Sequence, residues 1–328
     1  MQSKLSLLLL SFFLFSTAHS TIAQEQKETL KFMHLSDLHL IFHPKSYNTD
    51  FVASRFNYFW DTTDSVKSFF KSVPPKIKPE FIAITGDIID YYDTYTSDGI
   101  MMGTQIEQFQ TFIDSVTNEQ LYMTLGNHDI TSYTKEDYHQ NIASEARATW
   151  IKNVPCFAKG TYYSRLYDVG STTYRLIFLD NSYFSKKEKP DEASFIIDEF
   201  QLDWLKSQLS ESSTDKEIIF MHMLLPFNKG KGLDKESYDE YVTRTRTKEF
   251  LDILTKTKNS SLQVIVSGHE HENKIHKFDF SEDHSFTQIM TGALGNTLDN
   301  WRLFEITEFD IIVYDVGTES IETTIPLK

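Results

Sequence analysis

Apolar positions along the chain fall into two rhythms. Residues 30–35, 81–85 and 121–125 are short, nearly continuous apolar runs that end in polar sequence, the signature of buried strands. Between them, Phe56, Phe59, Trp60, Val66, Phe69, Phe70 and Val73 recur at three-to-four spacing until Pro74 and Pro75 stop the run. Ile106, Phe109, Phe112, Ile113 and Val116 repeat the pattern, so each stretch predicts a helix with one buried face. Further strands are expected at 161–167, 174–179, 218–221, 262–266, 274–280, 288–291 and 311–316, and helices at 200–209 and 238–254. This order predicts an α/β protein, a four-layer α-β-β-α sandwich of two packed mixed sheets flanked by helices. No repeat, low-complexity tract or long linker divides the sequence, so one domain is expected over residues 24–328.

The first residues follow neither rhythm. Lys4 precedes an apolar run over 5–15, too short for the ~20 residues that cross a bilayer as a helix, and small residues precede Ser20 and Ala23. Residues 1–23 therefore predict a secretory signal peptide and an exported chain, periplasmic or secreted, with no membrane span after processing. An uncleaved anchor helix is the alternative.

Charge and cysteine content narrow the partners. Asp and Glu number 47 against 32 Lys and Arg, a net charge of −15, which argues against general nucleic-acid binding because that requires a basic face. A phosphate-bearing ligand would have to be held by metal ions instead. Cys156 is the one cysteine, so neither an intramolecular disulfide nor a multi-thiolate metal site is available.

The polar residues that end the apolar runs carry the chemistry. In order they read Asp37-Leu38-His39, Gly86-Asp87, Gly126-Asn127-His128-Asp129, His222, and Gly268-His269-Glu270-His271, and they hold five of the 11 histidines. Loops at strand carboxyl ends are where α/β proteins bind ligands. Imidazole with carboxylate and amide oxygens suits first-row divalent ions such as Mn, Zn, Fe or Co. Residues two apart in an extended segment share a side, so Asp37 with His39, and His269 with His271, are each expected to aim as a pair. Seven candidate ligands exceed what one tetrahedral ion takes and suit two ions, with Asp87, isolated on its own strand end, as the bridge.

Taken together these motifs resemble the calcineurin-like metallophosphoesterase superfamily over residues 32–272. The resemblance implies one ion on Asp37, His39, Asp87 and His271, and a second on Asp87, Asn127, His222 and His269. It implies that His128 is not a ligand but faces the substrate and steadies or protonates the leaving oxygen, with Asp129 orienting it. The implied reaction is in-line attack of a metal-bridging hydroxide on a small phosphate ester. Gly86-Asp87-Ile88-Ile89-Asp90-Tyr91 lacks the Arg that protein serine/threonine phosphatases carry after the second Asp, and Asp90 stands where purple acid phosphatases have Tyr. The pattern is nearest to single-domain cyclic-nucleotide and glycerophosphodiester phosphodiesterases, which slightly favours a diester. The alternative is a non-catalytic metal-binding scaffold or partner-binding module, for which His128 has no use. Oligomeric state is not legible.

Four tyrosines, Tyr47, Tyr91, Tyr92 and Tyr95, with Arg55, lie in irregular stretches at 41–55 and 91–103 and read either as a lid that stacks a base or sugar or as packed loop aromatics. His34, His43, His139, His276 and His284 fit no motif. Asp180-Asn181 ends a strand and reads as support behind the site or as a plain turn.

Overall fold

The computed structural model describes residues 27–43, 50–95, 101–131, 142–182, 184–185, 194–195, 197–211, 214–225, 247–258, 260–280 and 285–328. The expected signal peptide therefore lies outside the described residues, as do Tyr47, His139 and His284.

Two six-stranded mixed sheets carry the fold. The first runs β16 (Ile321–Pro326), β15 (Asp310–Tyr314), β14 (Arg302–Thr307), β1 (Thr29–Leu35), β2 (Phe81–Thr85) and β5 (Leu121–Thr124). Its β1, β2 and β5 are parallel and its other pairs antiparallel. The second runs β12 (Lys274–Asp279), β13 (Ser285–Met290), β11 (Leu262–Ser267), β10 (Lys216–Phe220), β7 (Thr172–Phe178) and β6 (Tyr163–Val169), parallel from β13 to β7. Two short ribbons, β3 (Asp93–Tyr95) with β4 (Met101–Thr104) and β8 (Phe184–Ser185) with β9 (Ser194–Phe195), complete the strands among the described residues.

Period-two alternation makes the layers. Ile218 and Phe220 of β10 join the core between the sheets, whereas Ile219 between them joins the core under the outer helices. Tyr174, Leu176 and Phe178 of β7 face inward in the same way, and Ile177 outward. Phe32 of β1 stacks on Phe81 at 4.9 Å and on Phe304 at 4.7 Å, and meets Phe220 of the other sheet edge-on at 5.6 Å, so aromatic rings join the two sheets. Helices α2 (Thr62–Ser72), α4 (Gln105–Val116) and α5 (Ile142–Asn153) contribute buried residues to the core of the first sheet. Helices α6 (Glu199–Ser210) and α7 (Thr247–Lys256) cover the second. The four-layer sandwich is the one expected.

Local differences have local causes. The single helical run expected over 56–73 is two helices, α1 (Asp50–Phe59) and α2, because Trp60 turns left-handed at φ 64° and the Asp61 side chain caps α2 by accepting from Asp64 N. Part of the stretch read as irregular over 41–55 is thus helix α1. Pro74 and Pro75 open a short turn, α3 (Pro74–Ile77), rather than ending helical structure, since proline suits the first helical positions. Strands β14 and β16 and helix α5 carried no expectation. In α5 the buried side chains among those described are Ala143, Ala146 and Trp150, and small residues mute its apolar stripe.

Candidate metal centre

The carboxyl ends of β1, β2, β5, β10 and β11 open at one crest of the sandwich, and every polar motif named above lies just past one of them. The loops after β1 and β2 stay zipped beyond their strands: Asp37 N donates to Gly86 O at 3.1 Å, His39 N to Asp87 O at 2.9 Å and Leu40 N to Ile88 O at 3.0 Å. Holding that pairing while turning side chains onto one point forces unusual backbone. Asp37, His39, Asp87, His269 and His271 all have left-handed φ, between 46° and 78°. Asp37 and His39 therefore do aim together, but through left-handed turns rather than the extended segment expected. Such residues cost about 1–3 kcal/mol each and persist where the surroundings over-determine them. Glycine makes the close approach possible: a Cβ at Gly126 would overlap Asp87, and one at Gly268 would overlap Ser36 Oγ and Asp37 Oδ2.

All seven expected ligands converge. His39 Nε2 and His271 Nε2 lie 3.1 Å apart, with Asp37 Oδ1 at 3.9 Å and 3.3 Å from them. On the other side, His222 Nε2 is 3.1 Å from Asn127 Oδ1, 3.2 Å from His269 Nδ1 and 3.3 Å from Asp87 Oδ2. That same Asp87 Oδ2 is 3.8 Å from His39 Nε2, so one carboxylate oxygen faces both groups.

These groups fit a cation better than they fit each other. His39 Nδ1 faces the Asp90 carboxylate at 2.9 Å and His222 Nδ1 faces Thr85 O at 2.8 Å. Each ring thus carries its proton on Nδ1 and turns a lone pair inward, the usual arrangement behind a metal-ligating imidazole. Asp37 Oδ1 is buried without a hydrogen-bond donor among the described residues. Acceptors facing acceptors in a dry site call for positive charge at their centre. Burial pulls His222 down, but Asp87 and then Asp37 outweigh it and push it up to about 10, so the surroundings favour positive charge at this point. Burial likewise works to raise Asp87, yet His222, His128 and His39 hold its carboxyl well below the usual range. The donor set, imidazole and oxygen without thiolate, suits divalent first-row ions.

His128 sits half-buried beside this group, and with His39 and Asp90 it forms a further gathering of possible ligand atoms. Its backbone N–H donates to Asp87 Oδ1 at 2.8 Å, and its Nδ1 meets Asp90 O at 2.8 Å, leaving Nε2 on the opposite side of the ring. Asp129 does not face that ring. Its Oδ1 accepts from Ile88 N and Ile89 N, and its Oδ2 from Gly126 N at 2.7 Å, so it ties the Asp87 loop to the Asn127 loop. Burial, reinforced by the nearby Asp87 charge, pushes its carboxyl well up. Asp90 faces both His39 and His128; the sequence marks it only as the residue standing where purple acid phosphatases have Tyr, three residues after Asp87, and gives it no role at the site.

Asn181 supports the site from behind, its Oδ1 accepting from His222 N and Met223 N at 3.1 Å each. Asp180 is held by Arg147 through two hydrogen bonds, at 2.6 and 2.9 Å. His34 is fully buried beneath the crest between Thr85 Oγ1 and Thr291 Oγ1, 2.7 Å from each. Tyr91 and Tyr92 are core residues rather than a lid, with Tyr92 Oη donating to Glu145 at 3.1 Å. Glu270 and Glu272 are exposed.

Two packed mixed sheets thus bring imidazole, carboxylate and amide groups together at five strand ends, in an α/β protein whose donor set suits divalent ions. A family model for calcineurin-like phosphoesterases matches residues 30–273, and the chain belongs to that family. Among solved structures, PhoD superposes with a TM-score of 0.53 at 12% identity, over 92% of this chain and 69% of that one. GAP50, described as the anchor in the inner membrane complex of Plasmodium, superposes with a TM-score of 0.51 at 15% identity, over 92% and 90%. Both likenesses are of fold. No curated protein sequence matches the chain. The family points to a metal-dependent phosphoester hydrolase, and among the described residues no helix is long and apolar enough to cross a membrane.

Proposed function

We propose that this chain is an exported dinuclear phosphoesterase that cleaves a small phosphate ester, with a slight preference for diesters. The observation that carries the reading is the paired convergence around Asp87. Asp37, His39 and His271 gather on one side of it, and Asn127, His222 and His269 on the other. The first group with Asp87 would hold one ion, and the second with Asp87 the other. When bound, two divalent ions supply Lewis-acid charge for the phosphate oxygens and lower the pKa of a water toward ~7. Their identity, Mn, Zn, Fe or Co, is open to this donor set.

The chain's own residues do the rest. His128, whose Nδ1 meets Asp90 O, would in its doubly protonated form donate a hydrogen bond or a proton from Nε2 to the leaving oxygen as the ester bond breaks. Asp129 fixes the spacing between the bridge and His128 by binding three backbone amides. Residues 1–23 serve as the export signal, and residues 24–328 form the catalytic domain.

The test is hydrolysis of bis(p-nitrophenyl) phosphate beside p-nitrophenyl phosphate by the purified chain with Mn²⁺, Zn²⁺ or chelator added. Metal-dependent cleavage of the diester supports the full reading, and cleavage of the monoester alone corrects it to a phosphatase. Silence on both substrates with metal bound returns the scaffold reading.

A further inference from the structure

Asp90 stands at a junction of the centre. Its Oδ1 accepts from His39 Nδ1 at 2.9 Å and lies 3.5 Å from His128 Nδ1, which its own carbonyl oxygen meets at 2.8 Å. The two imidazoles it touches meet edge to face with centroids 4.8 Å apart. A further grip on the Asp90 carboxylate comes from another element. Arg55 of α1 donates from Nε to Oδ2 at 2.8 Å and from Nη2 to Oδ1 at 2.5 Å, a two-pronged grip that leaves the carboxylate one orientation. The same guanidinium lies over the Phe59 ring at 4.7 Å, and Phe59 stacks on His39 at 4.1 Å. Arg55 thus reaches His39 by two routes, through a carboxylate on one edge of the ring and an aromatic face on the other.

We propose that Arg55 is a positioning residue of the centre, locking Asp90 so that His39 presents Nε2 to a cation while His128 presents Nε2 to the ligand. The His128 half rests on the phosphoesterase reading above; the His39 half requires only that the centre bind metal. A lysine does not replace this arginine, because a single ammonium satisfies one carboxylate oxygen at a time and does not lie flat on Phe59. Groups that orient a metal-bound imidazole typically contribute 10–100-fold to affinity or activity.

Mn²⁺ binding is measured by calorimetry on the purified full chain, on R55A, on R55K and on D90N, beside steady-state hydrolysis. R55A is expected to weaken Mn²⁺ binding about 10–100-fold and to lower kcat by a similar factor with KM within about twofold. R55K is expected to recover little, and added guanidinium ion to restore part of the R55A loss. The R55A/D90N double variant is expected to be no worse than D90N, since the two residues act in series. Unchanged Mn²⁺ affinity in folded R55A overturns the proposal. So does a raised KM with unchanged kcat and Mn²⁺ binding, which makes Arg55 a substrate contact instead. If R55A fails to fold, R55K decides by the same readouts. If the wild type hydrolyses nothing, the phosphoesterase reading fails, and the Mn²⁺ titrations still decide the role of Arg55.

Discussion

Two of the regions that bury charge among the described residues do so in opposite ways. At the entry end of the second sheet, Arg175 on β7 meets Asp215 through two hydrogen bonds of 2.9–3.0 Å and adds Gln208 and Glu211, so cation and anions satisfy one another. At the crest, Asp37, Asp87, Asp90 and Asp129 crowd together with five imidazoles on strained backbone, and Asp37 Oδ1 has no donor among the described residues. The first arrangement is complete as it stands and serves the fold. The second gathers acceptors around one point without pairing them, which is how a binding site differs from a structural ion-pair network.

Substitutions separate the two. Asp87→Asn removes the charge that faces both clusters, and activity is expected to fall on the order of 10³-fold or more, the equivalent of several kcal/mol of metal-derived stabilisation. Arg175→Met should do the reverse, costing about 3–5 kcal/mol in denaturant unfolding by stranding Asp215, with kcat of the folded protein unchanged. Gly268→Ala forces Ser36 and Asp37 aside, and metal affinity measured by calorimetry should drop roughly 10–100-fold.

Taken per pH unit, the smallest effects are in titration. Burial, with Arg302 adding to it, lowers His34 from 6.5 to about 3, so the stability it contributes is complete above pH 6.5 and is lost as pH falls toward 3. Glu217, buried at the start of β10, is raised from 4.5 to about 8; its contribution is complete below pH 4.5 and is lost as pH rises through 8. Each contributes at most about 1.4 kcal/mol per pH unit within its window. Thermal denaturation of Glu217→Gln should show a flatter alkaline limb than wild type, and an unchanged limb would remove Glu217 from that account.

The candidate site was largely legible because ligand chemistry concentrates at strand ends, and strands buried on both faces announce themselves as apolar runs such as 81–85 and 262–266. What was not legible arises from tertiary contact. The proximity of Asp90 to His128 exists only because the loops after β1, β2 and β5 are zipped together by backbone bonds and by Asp129. Arg55 reads in sequence as one charge in a polar stretch, and its partner is 35 residues away. Strand β16 escaped because its residues alternate weakly and face solvent on an edge, where pairing with β15 rather than burial makes it a strand.

The most direct test of the central claim is the number of divalent ions bound per chain, read by elemental analysis after Mn²⁺ loading and desalting, for wild type and Asp87→Asn. The account expects two ions in the wild type and at most one in the variant, with the difference matched by lost hydrolysis. Two ions in both proteins, or none in the wild type, would contradict it.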